Sequence, residues 1–321
     1  MKDIIKNRKS KIKNCIVFCL LLFVSCTVEE PTFEYKAIPR TETGAKLIAG
    51  TDLIAQIHAD STYRLTPGAT VTEIAYLSTI GRAIKLFVFE VDLSNPNVSI
   101  EVSTPNNNPN VFAMQEMTGQ ALAADNRTDG SKVWGGVNAD FFNTSNGTPR
   151  SIVFRNGVAV KTSFDAPGDG STERTYFAIN HDRKALIAGR SDFDELRPTL
   201  FEAVGGNHWL LRNGVALVQT DVTVEPRTWI GVSEDGLKVW IMAVDGRNFW
   251  HSNGMMFSEM AQFMRAMGAY NSINLDGGGS TTFFVRNTPD FTEGRFEIRN
   301  WPSDRGGEER PVANGLLIIG K

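Results

Sequence analysis

The sequence predicts an α+β fold: a single domain of mixed and antiparallel β-sheets with a few flanking helices. Three observations predict it. Strand-like segments dominate after Gly68. Several of them are joined by tight glycine turns, and strand and helix do not alternate in the regular way that builds a parallel sheet. Only two or three segments carry apolar residues at helical spacing.

The first 25 residues read as an address outside the fold. Lys2, Lys6, Arg8, Lys9, Lys11 and Lys13 make a basic leader, and an apolar run from Cys15 to Val24 follows. That run is too short and too one-sided in charge for a spanning helix. It ends Phe23-Val24-Ser25-Cys26, a small residue before a cysteine, which resembles the lipobox of bacterial lipoproteins. Residues 1–25 are therefore expected to be a signal peptide and Cys26 the lipidated residue. That implies an exported protein anchored in a bacterial envelope, at the outer membrane or cell surface, with the lipid as its sole membrane contact. Ordinary secretion with cleavage nearby is the competing reading.

The three cysteines are Cys15, Cys19 and Cys26. Processing would leave no thiol for nucleophilic catalysis, disulfides or zinc. The formal net charge is −3, and removing six basic residues and one acidic residue leaves 27 against 35, or −8. Such a balance argues against binding nucleic acid. It does not exclude an anionic substrate, which a local arginine cluster can hold.

Residues 26–66 read as a tether and N-terminal lead, with a helix over 45–63 from the spacing of Leu47, Ile48, Ile54 and Ile57. The domain is expected over 67–321. Residues 84–93 and 98–102 read as strands, 106–110 as a loop, 111–124 as a short amphipathic helix and 133–142 as a strand. Arg155-Asn156-Gly157 and Arg212-Asn213-Gly214 each place Asn-Gly between apolar runs, the strongest short hairpin signal. Two independent hairpins explain this better than a duplication. Residues 229–244 form a further hairpin turning at Glu234-Asp235-Gly236. A helix follows, with Met256, Phe257, Met260, Phe263, Met264 and Met267 mostly on one face and Gly268 at its C-cap. That methionine stripe is core packing. Strands at 272–275, 281–286 and 312–319 close the chain.

Three segments concentrate chemistry. In Asn274-Leu275-Asp276-Gly277-Gly278-Gly279-Ser280-Thr281 a carboxylate at a strand end precedes three glycines, which expose backbone N–H groups and admit a ligand closely. With no lysine after the glycines this is not a nucleotide-binding P-loop; it can bind phosphate, hold a cation or simply turn the chain. In Asn138-Ala139-Asp140-Phe141-Phe142-Asn143, a strand would place Asn138 and Asp140 on one polar face beside two aromatic rings, a composition suited to a sugar. Arg227, after Pro226, and Arg310, before Pro311, match phosphate oxygens, although each alone is more often a surface ion pair. His208 is a candidate acid or base near neutral pH or else a packed histidine.

Together these segments resemble the phosphodiester glycosidase family. The family's pattern of Asn-Gly-Gly-Phe-Phe, Pro-Arg-Thr, Val-Asp-Gly-Arg, Gly-Met, Asn-Leu-Asp-Gly-Gly-Gly-Ser-Thr-Thr and Arg-Pro-Val-Ala-Asn has counterparts here in order: Asn138-Ala139-Asp140-Phe141-Phe142, Pro226-Arg227-Thr228, Val244-Asp245-Gly246-Arg247, Gly254-Met255, Asn274 through Thr282, and Arg310 through Asn314. The likeness covers about 68–320. Ala139-Asp140 departs from the family's Gly-Gly and adds a carboxylate.

The resemblance implies a glycosidase that cuts a sugar-1-phosphodiester or phosphorylated glycan into sugar and phosphomonoester. Asp276 is then the main catalytic carboxylate, with Asp140 and Arg227 as further catalytic groups. Arg227 and Arg310 hold phosphate. Asn138, Phe141, Phe142, Asn143, His208 and Asn274 meet the sugar, while Gly277, Gly278, Gly279, Ser280 and Thr281 line its approach. No cofactor is required, and a calcium ion shared by Asp140 and Asp276 stays open. A phosphodiesterase cutting the P–O bond and a non-catalytic cell-surface glycan-binding lipoprotein are the alternatives.

Overall fold

Alternating apolar residues and glycine turns build the protein almost entirely from antiparallel strands. The structure, a computed structural model, describes residues 37–167, 171–288, 294–304 and 306–321. Residues 1–25, expected to be a signal peptide, and Cys26 lie outside the described residues. In chain order the strands are β1 (Ile54–Thr66), β2 (Ala69–Ser78), β3 (Ala83–Asp92), β4 (Val98–Ser103), β5 (Lys132–Asn138) and β6 (Val153–Arg155). There follow β7 (Val158–Lys161), β8 (Thr175–Asn180), β9 (Ala185–Gly189), β10 (Leu200–Gly206), β11 (Trp209–Arg212) and β12 (Val215–Ala216). The last are β13 (Arg227–Val232), β14 (Lys238–Val244), β15 (Asn271–Asn274), β16 (Phe283–Arg286), β17 (Phe296–Ile298) and β18 (Gly315–Gly320).

They form three sheets, ordered β1-β2-β3-β14-β13-β15-β11-β12, β7-β6-β10-β8-β9 and β17-β16-β5-β18-β4. The predicted α+β class holds, with the sheets antiparallel. One core joins them: Phe89, Val137, Phe177, Val204, Ile230 and Phe283 come from all three and are buried together. The Phe89 and Phe283 rings stack at 3.9 Å. On its other face the largest sheet packs, through Tyr76, Trp229 and Trp240, against Leu47 of the helix Glu42–Gly50 and Met260, Phe263 and Met264 of the helix Phe257–Met267. Each such buried side chain contributes roughly 1.5–3 kcal/mol. The methionine stripe is thus core, and Gly268 caps its helix at φ 90°.

The Asn-Gly turns follow their local chemistry. Asn156 and Gly157 turn at φ 51° and 75°, and Asn213 and Gly214 at 53° and 75°, in the left-handed region both residue types tolerate. The two hairpins lie in different sheets.

Three elements differ from expectation. The helix over 45–63 is only Glu42–Gly50, started by Thr41, whose hydroxyl accepts from Gly44 N at 3.0 Å. Residues 54–66 are instead β1, because pairing along the length of β2 outweighs a loose helical spacing. Part of the supposed lead is therefore the edge of the largest sheet. The helix over 111–124 is only Met117–Ala124: Val111, Phe112 and Met114 are exposed, and Gln115 makes an extended bridge to Val312. The strand over 133–142 stops at Asn138, where its ladder with β18 ends at Gly315.

Candidate active site

Four strand ends meet where the first and third sheets join. β13 begins there at Arg227, opposite Val244, where β14 ends; β15 ends at Asn274, opposite Trp229; β5 ends at Asn138. The chain crosses between sheets directly after β15. Leu275 N donates to Thr228 O and Asp276 N to Ala139 O, each at 2.8 Å. Asn138 locks this crossing. Its Nδ2 donates to Asp276 O at 2.6 Å, and its Oδ1 accepts from Thr228 Oγ1 at 2.8 Å and Thr282 N at 3.1 Å.

Asp276 opens a loop whose glycines are dictated by their neighbours. A Cβ on Gly277 would stand 2.7 Å from Pro226 O, and one on Gly279 would fall 2.2 Å from the Asp304 carboxylate. Gly278 turns at φ 60° beside Arg247. The loop lies on a cleft of about 260 Å³ lined by Phe141, His208, Asn274, Asp276 and Gly277–Gly279, with Arg227, Arg247 and Arg310 among its other walls. A cavity of about 320 Å³ lies elsewhere, beside Arg64, Glu90 and Trp240. Its acid Glu90 is already engaged by Trp240 Nε1 at 3.2 Å and by the Thr43 hydroxyl. The chemistry-bearing groups gather in the smaller cleft.

The three guanidinium groups are held from behind. Arg227 lies 4.1 Å over the Phe257 ring and donates to Thr223 O at 3.1 Å and Met255 O at 3.3 Å. Arg247 Nε donates to Glu225 at 2.5 Å. Arg310 Nε donates to Asp304 at 2.8 Å, and its Nη1 reaches Ser280 Oγ at 3.3 Å. Burial pushes the Asp276 carboxyl up to about 6, opposed by hydrogen bonds from Ser280 and Gly277 N and by the Arg310 charge. A group so poised is in both protonation states near neutral pH.

Of the predicted site residues, Phe141, Arg227, His208, Asn274, Asp276, Gly277, Gly278, Gly279 and Arg310 line this cleft. The His208 ring lies 4.7 Å from Phe257, and the His208 backbone N–H donates to Asn274 Oδ1 at 2.5 Å. Six others do not. Asn138 is fully buried as the knot described above. Phe142 packs in the core with Met117 and Phe284. Asn143 caps its own turn, accepting from Ser145 N at 3.0 Å. Ser280 and Thr281 are buried beneath the loop, with Ser280 supporting Asp276 and Arg310.

Asp140, expected as a catalytic acid, is buried behind the cleft. Its Oδ2 accepts from Ser151 N at 2.8 Å, and its N–H donates to Asn314 Oδ1 at 2.9 Å. The polar face inferred from strand alternation is lost because the strand stops two residues earlier. Burial pushes the Asp140 carboxyl up to about 7, with Asp276 adding repulsion. Asp140 thus lies near enough to Asp276 for the two charges to repel, without lining the cleft. The calcium ion considered for this pair would need six to eight oxygens. Among the described residues no three His, Cys, Asp or Glu side chains group as a metal-ligand set.

Because Asp140 titrates higher folded than its ordinary 3.8, the folded state binds the extra proton and loses stability as pH rises from about 4 through about 7. Asp140→Asn should abolish that decline. Denaturation midpoints at pH 4 and pH 8 should diverge between wild type and variant, by up to about 4 kcal/mol at pH 8. Parallel curves would show that Asp140 does not titrate in this range.

Asp221, Glu225, Arg247 and Phe257 also line the cleft and were not foreseen as site residues. Arg247 lies within the Val244-Asp245-Gly246-Arg247 motif, and Glu225 directly precedes Pro226-Arg227-Thr228, so both had a signal in the sequence. Phe257 was read only as part of the helix's packing face. Asp221 sits in a loop without pattern.

The match to the family model for phosphodiester glycosidase covers residues 131–319. N-acetylglucosamine-1-phosphodiester alpha-N-acetylglucosaminidase of Mus musculus is 27% identical over 187 residues, 52% of this chain and 33% of the relative. The Homo sapiens protein of that name is 28% identical over 188 residues, with the same two shares. The chain thus spans about a third of the length of these relatives. The catalytic domain of the zebrafish enzyme of that name, auto-inhibited by its pro-peptide, superposes with a TM-score of 0.56 at 19% identity, over 81% of this chain and 87% of that one. A hypothetical protein from Synechocystis superposes with a TM-score of 0.55 at 13% identity, over 82% of this chain and 64% of that one. At these identities the structural likeness speaks for the fold. The family match, spanning more than half of the sequence and every segment from Asn138 to Asn314, shows that the chain belongs to the phosphodiester glycosidase family.

Proposed function

We propose that the protein is a hydrolase that cleaves the glycosidic bond of a sugar-1-phosphodiester of the N-acetylglucosamine-1-phosphodiester kind, releasing free sugar and a phosphomonoester. The observation that carries this reading is the Asp276 carboxylate sharing a cleft with Arg227, Arg247, Arg310 and a glycine loop, while the cleft's other two carboxylates, Asp221 and Glu225, pair with Arg227 and Arg247. The names of the relatives support the same chemistry.

In this mechanism the sugar lies against Phe141 and His208, with its anomeric carbon at Asp276. As the C1–O bond lengthens, positive charge builds on the ring and negative charge on the departing phosphate. Ionised Asp276 meets the first, as nucleophile or as base toward water. The arginines and the glycine loop meet the second. A phosphomonoester is a good leaving group, so no strong proton donor is needed. We further propose that the protein works outside the cytoplasm, anchored through Cys26. Among the described residues no helix is long and apolar enough to cross a membrane.

The test is turnover of N-acetylglucosamine-1-phosphomethyl in oxygen-18 water, with and without chelator. Label on the sugar's C1 hydroxyl supports the glycosidase. Label in the phosphate would establish P–O cleavage instead, and glycan binding without turnover would leave a binding protein. Loss of activity with chelator, restored by calcium, would add the ion to the mechanism.

A further inference from the structure

An exposed aromatic turn follows directly in the chain on one wall of the cleft. Arg247, in the cleft wall, leads into a turn closed by the Asn248–Ser252 bridge. Phe249 and Trp250 stand at its tip, 71% and 90% exposed. Their rings meet edge to face, 5.0 Å apart at 85°. This turn is a fixed feature. His251 Nε2 lies 2.8 Å from Asp245 Oδ2, and the other oxygen of the same buried carboxylate accepts from Trp301 N at 2.7 Å. Asp245 thereby also holds the backbone of Trp301, whose side chain is half-exposed. The neighbouring loop, which carries Asp221 of the cleft, is hydrogen-bonded to this one through Glu225 and Met255, and it exposes Val218 and Val222.

Water-exposed tryptophan, phenylalanine and valine on two adjoining loops at the mouth of a cleft mark a binding surface. Its place follows from the cleft's order. With the anomeric carbon at Asp276 and the phosphate among the arginines, the group esterified to the phosphate leaves past Arg247. Two rings at right angles form a corner that encloses a chain, whereas a sugar stacks on a single flat face. The valines add aliphatic surface and offer no hydrogen bonds to hydroxyls.

Resting on the glycosidase reading above, we propose that Phe249 and Trp250 form the leaving-group subsite and select a hydrocarbon aglycone, making the substrate class a sugar-1-phosphate esterified to an alkyl or isoprenyl alcohol. Burying even part of an octyl chain on this corner raises kcat/KM about 10- to 100-fold over a methyl ester.

The experiment compares methyl, octyl and glucos-6-yl diesters of N-acetylglucosamine-1-phosphate, each below its micellar concentration, with the mature chain and with a Phe249→Ser, Trp250→Ser double variant. The expected result is an octyl preference in the wild type that falls to within about threefold in the variant, with methyl-ester turnover unchanged. Both side chains are exposed, so the unchanged methyl rate also reports an intact fold. Equal octyl-to-methyl ratios in the two proteins, or a wild-type preference for the sugar aglycone, would overturn the subsite. Silence of the wild type on all three esters would instead sink the glycosidase reading itself, and the subsite with it.

Discussion

Asp276→Ala should lower kcat on a sugar-1-phosphodiester by at least ~10³-fold while leaving the unfolding midpoint nearly in place. The magnitude is that of removing a nucleophile or base for which no substitute lines the cleft at the anomeric position. Asp140 is buried behind it, Glu225 is tied to Arg247, and Asp221 lies 3.8 Å from Arg227. Stability should hold because the carboxylate is itself a burden. Burial pushes it up to about 6, so the fold gains from its protonation and not from its charge. The same shift sets the pH profile. A nucleophile or base must be ionised, so kcat/KM should climb with pH below about 6 and level off above. A profile that falls above 6 would recast Asp276 as the general acid. Activity surviving in Asp276→Asn would remove it from the chemistry.

Asn138→Ala should be the most damaging change outside the cleft, costing about 3–5 kcal/mol of stability. Truncation strands three buried groups at once: Asp276 O, the Thr228 hydroxyl and Thr282 N–H. Each unsatisfied group costs roughly 1–3 kcal/mol, and the Asn138 side chain is fully buried. Because two of the three bonds hold the Asp276 loop, the folded fraction should also lose about 10²-fold in kcat, the effect of displacing a reacting group by about 1 Å. Denaturant midpoints together with initial rates, corrected for folded fraction, check both parts. A stable variant with wild-type kcat would mean that the loop is held by its backbone alone.

The contrast between these two residues shows how far the sequence carries. Asp276 was legible because a carboxylate at a strand end followed by three glycines is unusual whatever surrounds it. Asn138 is as visible in the sequence, but its surroundings are not. Period-two alternation put it with Asp140 on one polar face, yet the face of a strand end is set by what packs there. Here Asn138 faces Thr228 and Thr282 from elsewhere in the chain, and the strand ends before Asp140 can share its face. Asp221 was invisible for the converse reason: its place depends on the anchoring of its loop through Arg227 to Thr223.

The sequence by itself determined the α+β class, the hairpins at Asn156-Gly157, Asn213-Gly214 and Gly236, the Gly268-capped helix and the glycine loop after Asp276. All of these rest on local forces: side-chain periodicity, and the positive φ that only glycine and asparagine adopt at low cost. It also carried the ordered motifs of the phosphodiester glycosidase family. Only the tertiary structure decided that residues 54–66 join the largest sheet, that Asn138 and Asp140 lie under the site and that Arg247, Asp221 and Glu225 lie in it. Those outcomes depend on contacts between segments distant in sequence, such as the bond from Asn138 to Asp276. Periodicity specifies that a face is apolar or polar, and the partner that covers it is chosen when the three sheets close on their common core.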